Sequence, residues 1–279
     1  MIQLSQLNYA YPKAQALFSG LNCRFSQGNI YGLLGRNGAG KTTLLKIVAG
    51  LLSSDEQAAR ILHQPSTRRL PDVLSECVYV PEEFYTPALT VNQHLKRFAA
   101  FYPRFDHSML QEFIREFELP ADADLSSFSY GMKKKYLIAF SLSTRARILL
   151  LDEPSNGLDI PSKSQLRKVL AGSLQDDQLM IISTHQVRDM KNLIDPVVIL
   201  DGGRILLNSG LHELGQNLSV TQSKERPEGD NVLYVEETFG TFTAVLSGKG
   251  QGECPDLELL FNAVINRPDY FIEHYGKEA

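Results

Sequence analysis

The chain has 279 residues, 43% of them hydrophobic and 22% charged, with a formal net charge of −4. This composition excludes a disordered chain and allows one large α/β domain with a small appendage. It shows no basic footprint, so nucleic acid is not expected as a partner.

The predicted elements begin with two short strands, marked by Ile2, Leu4 and Leu7 and by the alternation of Leu21, Cys23 and Phe25. Ile30–Leu34 reads as a buried strand, Gly35–Gly40 as a glycine-rich turn, and Lys41–Ala49 as a helix with Gly50 as its stop. Val91, Leu95, Phe98 and Tyr102 recur at helical spacing as far as Pro103. A second apolar stripe runs through Met109, Leu110, Phe113, Ile114 and Phe117, so residues 88–145 are predicted to be a mostly helical insertion. A strand over 148–151, a helix over 162–174 and strands over 180–183 and 197–200 follow. Such alternation predicts a mainly parallel sheet covered by helices.

Residues 216–230 are polar and read as a linker between a main domain over 1–215 and an accessory domain over 231–279. In the latter, 232–235 and 241–246 suit a hairpin around Gly240. Leu257, Leu260, Phe261 and Val264 suit a short amphipathic helix with Asp256 near its start. No apolar run approaches the about 18–20 residues that cross a bilayer, and Met1–Phe25 lacks the pattern of a secretory leader. The three cysteines, Cys23, Cys77 and Cys254, show no paired or zinc-type spacing, which suits a reducing compartment. A cytoplasmic chain is expected, touching a membrane only through a partner.

Two motifs carry chemistry. Gly35-Arg36-Asn37-Gly38-Ala39-Gly40-Lys41-Thr42 fits G-x-x-x-x-G-K-[ST]. Consecutive backbone N–H groups can wrap a phosphate only where no Cβ intrudes, and the helix that follows turns its positive end toward the same anion. Lys41 adds a point charge for the β- and γ-phosphates, and Thr42 a hydroxyl for Mg²⁺. Further on, Ile148–Leu151 ends in Asp152 and Glu153. Ligands sit outside the carboxyl ends of parallel strands, so the two acids belong beside the loop if the two strands are neighbours. Asp152 is then the candidate metal ligand and Glu153 the candidate base for an attacking water. The run Lys133–Lys135 reads as a solvated helix face.

The order of motifs resembles the ATP-binding cassette, or ABC, family over residues 1 to about 210. Ser129-Tyr130-Gly131-Met132 stands where the family has its signature, Ser155–Asp159 resembles the D-loop, and Ser183-Thr184-His185 the switch. Val78-Tyr79-Val80-Pro81-Glu82 resembles the glutamine loop, with Glu82 in place of the amide; Tyr130 and Met132 likewise depart from the signature.

The resemblance implies an ATPase of P-loop type with an N-terminal antiparallel subdomain, using ATP and Mg²⁺. It implies nucleotide contacts from Tyr11 (on adenine), Arg36, Asn37, Gly38, Ala39, Gly40, Lys41, Thr42 and Thr43. Ser129, Gly131 and Asp159 would act across a head-to-tail dimer with a second cassette, identical or not. Glu153, Lys41 and His185 would be catalytic, and Thr42, Asp152 and Glu82 would face the metal. The implied partner is an integral membrane permease subunit, which would hold the chain at the inner face of the cell membrane. The signature and the tail Asp256–Phe261 resemble bacterial exporter-type cassettes. A soluble ABC ATPase acting on a macromolecular partner is the alternative; those members carry two cassettes or long coiled coils, and this chain has one phosphate loop and no sustained heptads. A regulator without turnover is disfavoured by the presence of Lys41, Asp152 and Glu153.

Overall fold

The computed structural model describes residues 1–276 apart from Gln251 and Glu253; those two and the last three residues of the expected accessory domain lie outside the described residues. Strands β1 (Ile2–Ala10) and β2 (Ala16–Phe25) pair antiparallel, with Ile2 opposite Phe25 and Leu4 opposite Cys23. The apolar alternation in the sequence is their buried face. A strand β3 (Asn29–Leu34), helix α1 (Lys41–Val48) and the short strands β4 (Ala59–Ile61) and β5 (Gln64–Pro65) follow. The first sheet has the order β2-β1-β4-β5.

After a single helical turn α2 (Pro71–Leu74) and strand β6 (Cys77–Val80), the helical insertion holds α3 (Val91–Phe98), α4 (His107–Glu116) and α5 (Tyr130–Ser143). Their starts are written in the sequence. Thr90 and Gln93 form a reciprocal capping box for α3, Asp106 caps α4 and Ser129 caps α5.

The chain then runs through β7 (Ile148–Asp152), α6 (Ile160–Ser173), β8 (Leu179–Thr184), β9 (Val197–Asp201) and β10 (Arg204–Ser209). The central sheet has the order β10-β9-β3-β8-β7-β6 and is parallel except for β10. Both its faces are apolar, as a covered parallel sheet requires. Tyr31, Leu33, Leu150, Ile181 and Val198 pack with α1 and the antiparallel sheet. Leu34, Leu149, Leu151, Ile182 and Ile199 pack with Tyr136 and Ala139 of α5 and Leu166 of α6.

The last segment holds α7 (Leu211–Asn217), β11 (Leu218–Ser223), β12 (Val232–Thr238), β13 (Thr241–Ser247), α8 (Leu257–Asn266) and α9 (Pro268–Tyr275). The expected hairpin turns at Phe239 and Gly240, both with positive φ, the backbone of a tight hairpin turn. The expected linker over 216–230 is corrected in part: Leu218–Ser223 is a strand paired with β13. It is an edge strand on which only Leu218 is fully buried, so its composition looks like that of a loop. All three cysteines are free, and burial pushes each thiol up to about 12.

Candidate functional site

The turn from β3 into α1 is built on glycine. Gly38 and Gly40 have φ of +80° and +105°. A Cβ at Gly35 would lie 2.4 Å from the Leu200 carbonyl, and one at Gly40 2.8 Å from the Phe18 ring. The loop therefore has left-handed backbone at Gly38 and Gly40 and no room for a Cβ at Gly35 and Gly40. Lys41 is only 7% exposed and folds over the loop, donating to the carbonyls of Gly35 (2.8 Å) and Arg36 (3.2 Å). Burial holds its pKa below the ordinary lysine range, against the opposing pull of Glu153, Asp152 and Glu82. Arg36 is exposed and contributes its carbonyl.

The strand before the loop and the strand bearing the acids are not neighbours. β8 runs between β3 and β7, with Asp152 opposite Ser183 and Leu34 opposite Thr184. The loop and the acids still meet, because all three strands end at the same edge: Lys41 Nζ lies 3.6 Å from Glu153 Oε1. The intervening strand supplies His185, whose Nδ1 is 2.8 Å from that same oxygen. It also supplies Ser183, whose Oγ donates to Asp152 Oδ1 at 2.5 Å. Tyr79 on β6 donates to Asp152 Oδ2 at 3.0 Å. Sequence reasoning quoted Ser183 and Tyr79 within motifs without giving them this role; Ser183 stands opposite Asp152 and Tyr79 opposite Leu150 on the flanking strands, a register that the sequence does not display.

Glu153 is 5% exposed and sits at φ +47°, in the left-handed region. Its N–H donates to the Ser183 carbonyl (3.1 Å). Its Oε2 is buried with no hydrogen-bond partner among the described residues. Such an atom is costly unless something satisfies it.

A cleft of about 510 Å³ gathers Tyr11, Asn37–Thr43, Glu82 and Glu153. Tyr11 Oη lies 3.0 Å from Thr43 Oγ1, and its ring meets Tyr9 edge-on, which makes Tyr9 a support and Tyr11 the cleft residue. Glu82 Oε1 accepts from Asn156 Nδ2 at 2.5 Å. Ser129, Gly131 and Asp159 do not line this cleft. Ser129 Oγ accepts from the Met132 N–H at 3.3 Å, and Asp159 caps α6 by accepting from the Ser162 N–H; hydrogen bonding from the Ser162 side chain and then from its N–H keeps the Asp159 carboxyl below the usual range. The lysine run departs from its reading as a solvated face: Lys134 is fully buried.

A glycine-wrapped loop at a helix start, a strand-end acid pair and a histidine on the strand between them define a P-loop nucleotide hydrolase. A family model described as ABC transporter matches residues 18–156. The chain is 30% identical over 208 residues to the uncharacterized ABC transporter ATP-binding protein YdbJ of Bacillus subtilis, covering 72% of this chain and 67% of that protein. It is 29% identical over 202 residues to Nod factor export ATP-binding protein I of Burkholderia lata, covering 70% and 66%. A solved structure of an ATP binding subunit of an ABC transporter superposes with a TM-score of 0.69 at 25% identity, over 77% of this chain and 91% of that one. The chain belongs to the ABC transporter family as an ATP-binding, ATP-hydrolysing subunit. No helix among the described residues is long and apolar enough to cross a membrane.

Proposed function

We propose that the chain couples ATP hydrolysis to movement of a substrate, in the export direction, by a separate membrane permease subunit, working as one of two cassettes paired head to tail at the inner face of the membrane. The likeness to an export ATP-binding protein supports the direction. The division into a main unit over 1–215 and an accessory unit over 231–279, joined through 216–230, belongs to the same proposal as a division of roles between parts that share one apolar core.

In this reading the phosphate chain lies against the Asn37–Thr43 backbone with Lys41 beside it, and Tyr11 faces the adenine. Thr42 and Asp152 fit Mg²⁺. Both offer hard oxygen donors, and Asp152 accepts one hydrogen bond on each oxygen, leaving lone pairs on both. No group of three or more metal-ligating side chains occurs among the described residues, which suits an ion held by one or two protein ligands together with phosphate oxygens. The ion would supply positive charge to the phosphate oxygens. Glu82 accepts one hydrogen bond on Oε1, from Asn156, which leaves lone pairs on both of its oxygens for a contact with the ion.

Glu153 takes a proton from the attacking water as the water oxygen bonds to the γ-phosphorus and the bond from that phosphorus to the ADP oxygen breaks. His185, hydrogen-bonded to Glu153, is placed to report the γ-phosphate. Ser129, Gly131 and Asp159 face outward and would serve the partner cassette. The buried, unpartnered Oε2 of Glu153 carries this assignment. Glu153→Gln keeps the shape and removes the base, so steady-state turnover is expected to fall about 10²–10⁴-fold with Mg-ATP affinity retained. Turnover close to that of the parent would sink it.

A further inference from the structure

Lys134 is a lysine with no exposed surface, on the helix that begins at Ser129. Buried ammonium groups normally pair with a carboxylate. This one forms no ion pair among the described residues. Its Nζ donates to two backbone carbonyls, those of Glu153 (2.9 Å) and Asn156 (2.9 Å), and lies 5.5 Å from the centre of the Tyr130 ring. The two carbonyls and the ring face account for its three N–H groups. A methionine would fill the same space without a charge to desolvate, so packing alone does not explain a cation here.

What the cation holds is specific. Glu153 has left-handed backbone, which an L side chain adopts at a cost and which persists only where the surroundings enforce it. Its N–H is fixed by Ser183. Its carbonyl is fixed by Lys134 and by the Asn156 N–H at 3.2 Å. The loop from Glu153 to Asn156 is thus closed by a backbone hydrogen bond and bridged at both ends by one ammonium.

The same helix reaches Glu82. Tyr130 Oη donates to the Glu82 carbonyl at 3.0 Å, the Tyr130 ring stacks on Phe84, and the Glu82 carboxylate accepts from Asn156. Tyr130 also explains Gly157, because a Cβ there would lie 2.8 Å from its ring.

We propose that Lys134 is a positioning residue for ATP hydrolysis: by binding the Glu153 and Asn156 carbonyls it holds the Glu153 backbone so that the carboxylate faces the cleft, and it does so from the helix that contacts Glu82. The proposal rests on Glu153 being the general base.

The test compares steady-state ATPase of the full chain with that of Lys134→Met, Glu153→Gln and the double variant, with Lys168→Met as a surface control for the lost charge. Lys134→Met is expected to lower kcat about 10- to 100-fold, as small misplacements of a reacting group do, and to leave KM for Mg-ATP within about threefold. In the Glu153→Gln background it is expected to lower the residual turnover no further, because the carboxylate it orients is gone.

An unchanged kcat in Lys134→Met overturns the proposal. So does an equal fold loss in both backgrounds, which marks a structural effect. Near-parental turnover in Glu153→Gln alone instead overturns the reading of the base, and this proposal with it. Should Lys134→Met give no cooperative melt, Lys134→Arg replaces it, retaining a cation with displaced donors. The same pattern of reduced kcat and steady KM is expected, and an unchanged kcat again overturns the assignment.

Discussion

Helix α1 begins at Gly40, in left-handed backbone and with no capping side chain, whereas α5 begins at Ser129, whose hydroxyl accepts from the Met132 N–H. Both helix starts offer N–H groups to an anion. The surroundings differ. Around α1, Lys41, Asp152 and Glu153 are nearly fully buried, and His185 is tied to Glu153. Around α5, Ser129 and Tyr130 are exposed, and Asp159 is exposed as the cap of α6. The α1 half has its charges arranged by one chain's own strands. The α5 half presents a helix end and a loop on the surface, as expected of a part that works against a second molecule.

Three substitutions separate these halves. Lys41→Met removes the buried cation of the α1 half, and kcat/KM for ATP is expected to fall about 10²–10³-fold. Because burial already disfavours the Lys41 charge, the melting temperature should not drop with it. A parallel loss of folding would mean that Lys41 is structural.

Ser129→Ala belongs to the other half. It is expected to cost about 0.5–2 kcal/mol of stability through the lost cap. It should lower turnover at cassette concentrations that permit pairing, while nucleotide titration of the single chain stays unchanged. A matching loss of affinity in the monomer would break the comparison, because it would put Ser129 on the nucleotide of its own chain.

The smallest effect on turnover is expected from Tyr79→Phe, which removes one hydrogen bond to the Asp152 carboxylate, worth about 1.5–3 kcal/mol of stability. Chemical denaturation should show that loss with only a modest fall in turnover. A fall as deep as that of Lys41→Met would extend the essential α1 half to β6.

The phosphate loop and the acid pair were legible because backbone geometry and strand-end placement restrict which residues can stand there. The order of strands was not. Nothing in Ile30–Leu34 or Ile148–Leu151 says that β8 lies between them, since all three are short apolar runs with interchangeable patterns. Lys134 was misread for a related reason: a run of three lysines signals solvent by composition, and only the packing of α5 against the Glu153 loop turns one of them inward. The strand β11 and the two-residue β5 escaped notice because polar edge strands carry weak alternation. The residues that resemble the signature and D-loop were singled out by motif order alone; that Ser129 and Asp159 are exposed while Ser155 and Leu158 are buried is a property of the fold.

The apolar core does not stop where the sequence turns polar. Leu151 and Ile182 of the central sheet belong to the same continuous cluster as Leu218, Val245, Leu260 and Phe271 of the last segment. There is accordingly no clean seam at residue 215. A chain cut there would expose the flank of its own catalytic sheet as a sticky face, so the tail is a structural flank of the hydrolytic machinery, and its loss would show first as aggregation.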